Sequence, residues 1–171
     1  YYLQANEVDA AARTITKIGI AMMIDGRFDD IARWMKRLPP TTIAKDPWLS
    51  LLQAAAFRIR GGHRTIADLN CAHQAFVKAK HVRGQMFALA YLIETGVFTG
   101  HKPDDIQTWI AEGESLLRQT GRLPHFAYAK ALVWQQIGLG VLSQYGSDLQ
   151  KGLSACENAV MLGKRIGHHP L

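Results

Sequence analysis

Apolar positions in this chain recur at three- and four-residue steps over most of its length, the spacing of one face of an α-helix. Residues 7–25 carry Val8, Ala11, Ala12, Ile15, Ile18, Gly19 and Met22 on such a face. Asn6 stands where an N-cap is expected. Asp25-Gly26 follows the last apolar turn, glycine supplying the left-handed conformation that a tight helix-to-helix connection needs. A return stripe of Phe28, Ile31, Ala32, Met35 and Leu38 predicts a second helix over 28–38, stopped by Pro39-Pro40.

Asp46-Pro47 restarts helix by two devices, a carboxylate at the N-cap and a proline at the first helical position, where no amide hydrogen is required. Trp48, Leu51, Leu52, Ala55 and Ile59 predict a helix over 47–60. Gly61-Gly62 is read as the turn into a helix over 63–80 bearing Ile66, Leu69, Ala72, Phe76 and Val77. The next pair, 83–99 with 103–120, carries Met86, Leu89, Ala90, Ile93 and Val97 before Gly100, then Ile106, Trp109, Ile110, Gly113, Leu116 and Leu117. Residues 124–145 are apolar nearly all round, which predicts a helix sandwiched between neighbours. Gly138 and Gly140 inside it each cost about 1 kcal/mol of helix propensity relative to alanine, a cost expected where helices approach closely. The last helix, 148–166, carries Leu149, Leu153, Cys156, Val160 and Ile166, with Gly167 ending it.

Successive pairs start 40, 36 and 41 residues apart, the interval of two-helix solenoid repeats. Such units cannot bury their apolar faces alone, so they stack. The pattern predicts an all-α superhelix of about four antiparallel hairpins, one domain over 1–171.

Composition agrees. With 171 residues and 48% hydrophobic content the chain can build one real core. No stretch reaches the eighteen or so consecutive apolar residues of a membrane span, the longest candidates being broken by Glu94, Lys130 and Gln135-Gln136. The chain therefore reads as soluble, with no membrane partner. Cys71 and Cys156 fall on predicted apolar faces without a CxxC spacing and read as reduced core thiols, which suits a cytoplasmic setting. An opening at Tyr1-Tyr2, with no initiating methionine, is expected of a segment from a larger polypeptide.

Catalytic signatures are missing from the sequence. It has no glycine-rich loop ending in Lys-Ser or Lys-Thr, no HExxH, no GxSxG and no paired cysteine cluster. His63, His101 and His125 fall at predicted turns or helix starts, His73 lies between core positions, and His168-His169 lack an identifiable third ligand. Glu112 with Glu114, and Asp104 with Asp105, diverge on a helix rather than converge. The expectation is a non-enzymatic chain with no cofactor and no metal.

Charge placement is more informative. The formal net charge is +6. Return helices begin with acids, Asp29, Asp30, Asp68, Asp104, Asp105 and Asp148, and end with bases, Lys36, Arg37, Lys78, Lys80, Arg118, Lys164 and Arg165. Helix-dipole matching explains this alone, at roughly some tenths of a kcal/mol apiece. Parallel return helices would also align those bases along one edge, thickened by Arg83 and Arg122 in the connections. Such an edge suits an acidic protein surface or a phosphate-bearing partner. Direct DNA reading is not expected, because no recognition-helix pattern accompanies the charge. On the concave face the candidates are Arg13, Thr16, Gln53, Tyr91, Glu94 and Gln136, which could grip a peptide or a small polar effector; ordinary helix solvation is the competing reading. Trp34, Trp48 and Trp109 read as core wedges, and Trp134 as a candidate stacking platform.

Gly19, Gly26 and Phe28 sit at the relative spacing of the glycine, turn glycine and aromatic of the tetratricopeptide repeat (TPR), with Ile31 where that repeat prefers alanine. The run Gly26-Arg27-Phe28-Asp29-Asp30-Ile31, then Trp34, Leu38-Pro39 and Asp46-Pro47-Trp48-Leu49, resembles the signature of the helical-repeat region of MalT-like, LuxR-type transcriptional regulators, which are multidomain signal-transduction ATPases. Residues 93–98 and 106–117 extend the resemblance, which covers about residues 10–140. It implies a TPR-like right-handed superhelix between a nucleotide-binding ATPase and a DNA-binding helix-turn-helix. It further implies a sensor and protein-interaction domain that couples effector or partner binding to those flanking parts. Partners would be another protein, neighbouring domains of the same chain, or a small-molecule effector. The alternative is a structural adaptor scaffold inside another multidomain signalling enzyme.

Overall fold

The computed structural model describes residues 7–121, 123–144 and 148–167, with the side chains of 59–63 left aside. The described residues are all-α. The helices are α1 (Val8–Ile24), α2 (Phe28–Met35), α3 (Pro40–Lys45), α4 (Pro47–Lys78), α5 (Val82–Thr99), α6 (Pro103–Thr120), α7 (Ala127–Leu142) and α8 (Leu149–Arg165), with a 3-10 turn at Pro124–Phe126. No described helix is long and apolar enough to cross a membrane. The chain forms two compact units, divided between Ala75 and Phe76.

In the first unit α1 buries Ala11, Ala12, Ile15, Gly19 and Met22, as its periodicity predicts, while Ile18 at the margin of the stripe is exposed. The predicted Asn6 cap lies outside the described residues. Gly26 has φ +71, and the Arg27 amide donates to the Met22 carbonyl at 2.8 Å, closing α1 and turning the chain into α2. Asp46 caps α4 as expected. Its Oδ1 accepts from the Trp48 amide at 2.8 Å, and its Oδ2 accepts from Thr16 Oγ1 at 2.9 Å, so one carboxylate starts α4 and holds α1 beside it.

Two expectations fail here. α2 ends at Met35, short of the predicted Leu38, and Pro39-Pro40 begins a further helix, α3, with Pro40 in the first helical turn, where a missing amide hydrogen costs nothing. Gly61-Gly62 is no turn at all, because α4 runs unbroken from Pro47 to Lys78. The predicted pair 47–60 with 63–80 is therefore one helix. Leu52, Ala55, Ile66, Leu69 and His73 are all buried and share one helical phase across the glycines. About 2 kcal/mol of lost propensity for two glycines is smaller than the burial that this continuous face supplies, each large apolar side chain contributing about 1.5–3 kcal/mol. Cys71 is exposed, not a core thiol. Two residues from Leu69 is a rotation of about 200°, which carries it to the opposite side of α4.

The second unit is built around α5 and α7. Phe87, Ala88, Leu89, Ala90, Leu92 and Ile93 of α5 are fully buried. The sandwiched helix is found as expected, α7 packing against α5, α6 and α8. Its glycines sit at the closest approaches. A Cβ at Gly138 would lie 2.5 Å from Cys156 Sγ and 3.3 Å from the Gly152 carbonyl oxygen, and one at Gly140 would lie 3.0 Å from both Ile93 and Ile110.

The predicted buried stripe of α8 is overturned. Leu149, Leu153 and Val160 are 65%, 53% and 45% exposed. The face turned inward is Gly152, Ala155, Ala159 and Gly163. A backbone as close as that of α7 admits only small side chains, so α8 turns its larger apolar residues outward. Cys156 is half-buried against Gly138.

These two glycine arrangements predict opposite responses to alanine. At Gly61, which helical phase sets off the arc of Leu52, Ala55, Ile66 and Leu69, the substitution is expected to raise the urea midpoint, by about 0.5–1 kcal/mol; a left-handed turn there would make it destabilising instead. Gly138→Ala is expected to cost about 1–3 kcal/mol from overpacking, despite the gain in helix propensity, and a stabilised variant would refute the close contact.

Candidate binding groove

Three helices of the second unit enclose a groove of about 1070 Å³. Helix periodicity places its lining. On α6 it is Glu114, Leu117 and Arg118, on α7 Ala127, Lys130 and Trp134, and on α8 Asn158, Met161, Leu162, Arg165 and Ile166. Each set recurs at three- and four-residue steps, so each helix turns one face to the groove. Leu123 and Pro124 of the connection before α7 complete the wall.

That connection is tied down. Thr120, buried at the end of α6, donates its hydroxyl to the Leu116 carbonyl at 2.8 Å. Gly121 then takes φ +49, which frees the chain to leave the helix. Its carbonyl oxygen accepts from the Nζ of Lys130. Lys130 is only 6% exposed, and burial pulls its ammonium below the usual lysine pKa. A cation buried on an otherwise apolar helix is thus held by a carbonyl at the C-terminus of α6, where the helix dipole favours positive charge.

The electrostatic balance of the groove is positive. Glu114, its acid, pairs with Lys151 at 2.8 Å. Among the described residues no acid forms an ion pair with Arg118 or Arg165. Trp134 adds a half-buried aromatic surface one turn beyond Lys130.

Of the proposed basic edge, Arg118 and Arg165 both line this groove. Lys36 and Arg37 are exposed in the first unit, and Lys78, Lys80 and Lys164 are exposed in the second. Arg83 is half-buried, its guanidinium 5.8 Å from the Phe87 ring centroid, and Arg122 lies outside the described residues.

The six concave-face candidates do not line this groove. Arg13 is exposed, Thr16 is half-buried on Asp46 and Gln53 is half-buried, all in the first unit. In the second unit Tyr91 and Gln136 are buried and Glu94 is half-buried. Lys130 is the groove residue that sequence reasoning passed over. It counted only as an interruption of an apolar run, although a lone cation on a helix apolar all round signals an internal partner. No group of three or more His, Cys, Asp or Glu that could hold a metal occurs among the described residues.

No family model, curated protein or solved structure matches the chain.

Lys130 makes a pH prediction. Its folded pKa lies below the ordinary value of 10.5, so between the two the unfolded chain keeps a proton that the folded chain has released. Stability rises with pH wherever the unfolded state binds more protons. Wild type is therefore expected to gain stability relative to Lys130→Met as pH increases toward 10.5, in paired urea titrations. Parallel pH curves would contradict a depressed Lys130.

Proposed function

We propose that this chain is a non-catalytic, TPR-like sensor and protein-interaction domain of a MalT-like transcriptional regulator, coupling effector or partner binding to flanking ATPase and DNA-binding domains. The observation that carries the sensor part is the groove between α6, α7 and α8, which combines apolar walls, an aromatic surface and cationic groups. That mixture suits a small ligand with both an apolar body and polar groups. The helix at its centre, α7, also packs on α5, so a ligand that moves α7 acts on the core of the whole unit. Further support comes from the residues of the resemblance. Gly26 and Phe28 form the α1–α2 turn, and Asp46-Pro47-Trp48 begins a helix. The TPR-like reading rests on the packed pairs α1–α2, α5–α6 and α7–α8, with the long α4 as a departure from the repeat.

The adaptor reading has its own observation. Leu149, Leu153, Val160 and Met161 are exposed on α8, and exposed apolar patches commonly meet another protein.

A thermal-shift screen of the 171-residue chain against sugars, nucleotides, amino acids and organic acids separates the two. A groove ligand at a hundredfold excess over its Kd should add about 2.7 kcal/mol of stability, and Trp134→Ala should abolish the shift. A folded chain that responds to none of them would favour the adaptor.

A further inference from the structure

We propose that the α6–α7–α8 groove takes a small organic acid, its carboxylate or phosphate head held by Arg118 and Arg165 and its flat apolar body laid on Trp134. This deepens the sensor reading and rests on it. The argument begins with charge. Three cations line the groove, Arg118, Lys130 and Arg165, and its one acid, Glu114, already has Lys151 as partner. Two helix C-termini border the groove, since Gly121 follows α6 and Ile166 follows α8 and both line it. Each contributes about half a negative charge, and the N-terminus of α7 at Ala127 returns about half a positive one. The helix ends thus offset less than one of the three cations, so an anion is favoured over a neutral or cationic guest.

Chemistry separates the roles of the cations. Lys130 is committed to the Gly121 carbonyl, so it acts as a fixed charge behind the site. Arg118 and Arg165 are exposed in the groove, without an ion pair among the described residues, and offer guanidinium forks that match a carboxylate or phosphate bidentately. Trp134 stands one turn beyond Lys130 on the same face of α7, and Leu117 and Leu162 supply apolar wall. Head and body of the ligand therefore have separate surfaces. Whether the head is carboxylate or phosphate is left to the probes, because both satisfy the same two forks.

Isothermal titration of the 171-residue chain with naphthalene-2-carboxylate, 2-naphthyl phosphate and neutral naphthalene-2-carboxamide tests this. At least one anion is expected to bind saturably, the carboxamide at least about tenfold more weakly, and each of Arg118→Gln and Arg165→Gln to cost about tenfold in anion affinity. Arg118→Lys should recover part of that loss, and Lys36→Gln, in the first unit, should change nothing. Circular dichroism checks that each variant is folded. Equal binding of acid and amide, or Arg variants indistinguishable from wild type, would overturn the anionic class. If Trp134→Ala abolished amide binding in that case, the groove and the sensor reading would stand without it. Silence from all three probes would also overturn the inference, and the sensor reading would fall with it only if the metabolite screen were silent too.

Discussion

Covering α7 is the constraint on which the second unit depends. A helix apolar nearly all round has no polar face to give to water, so it is enclosed, and α5, α6 and α8 pack against it. Enclosure at this distance requires small residues at the crossings. Gly138 meets Cys156 and the Gly152 carbonyl, while Gly140 meets Ile93 and Ile110. The inward face of α8, Gly152, Ala155, Ala159 and Gly163, answers the same demand. What α8 loses in apolar burial it regains in close backbone packing, and Leu149, Leu153 and Val160 are left outside.

The groove follows from the same packing. Near Gly138 the helices α7 and α8 touch closely, but toward the start of α7 the facing residues are Trp134, Lys130 and Leu162, which cannot interdigitate as tightly. Space opens there, and the end of α6 closes it on the third side. Lys130 is buried at this junction and bonded to the last carbonyl of the α6 end, so the floor of the groove and the α6–α7 connection share one hydrogen bond. A ligand resting on this floor would press on the connection as well as on α7. Such coupling is what the proposed sensor requires, since a ligand moves a protein only through contacts that differ between its states.

The first unit is organised by a different device. Asp46 holds the start of α4 and the hydroxyl of Thr16 with the two oxygens of one carboxylate, and Gly19 lets Leu52 approach α1 with no side chain between them. At these points local signals and tertiary contacts agree, and the starts of α1, α2 and α4 and the first turn were readable.

Helix type and most helix ends were determined by the sequence itself, because capping and turn chemistry is local. Asp25-Gly26, Asp46-Pro47 and Gly100 act within a few residues of themselves, whatever the rest of the chain does. The enclosure of α7 was legible for a related reason, since a helix without a polar face admits one solution. Tertiary structure alone decided three other matters. Gly61-Gly62 carries a local turn signal, and the burial of a continuous face on α4 outweighed it. On α8 the face richer in large apolar residues lost, because the tight approach of α7 selected the small residues over the larger ones. Arg118 and Arg165 read as dipole-matching ends of separate helices, and only the packing of α6, α7 and α8 set both beside Lys130 and Trp134. Periodicity records which residues share a face of one helix; which faces meet is settled by distances between backbones, and no single helix encodes them.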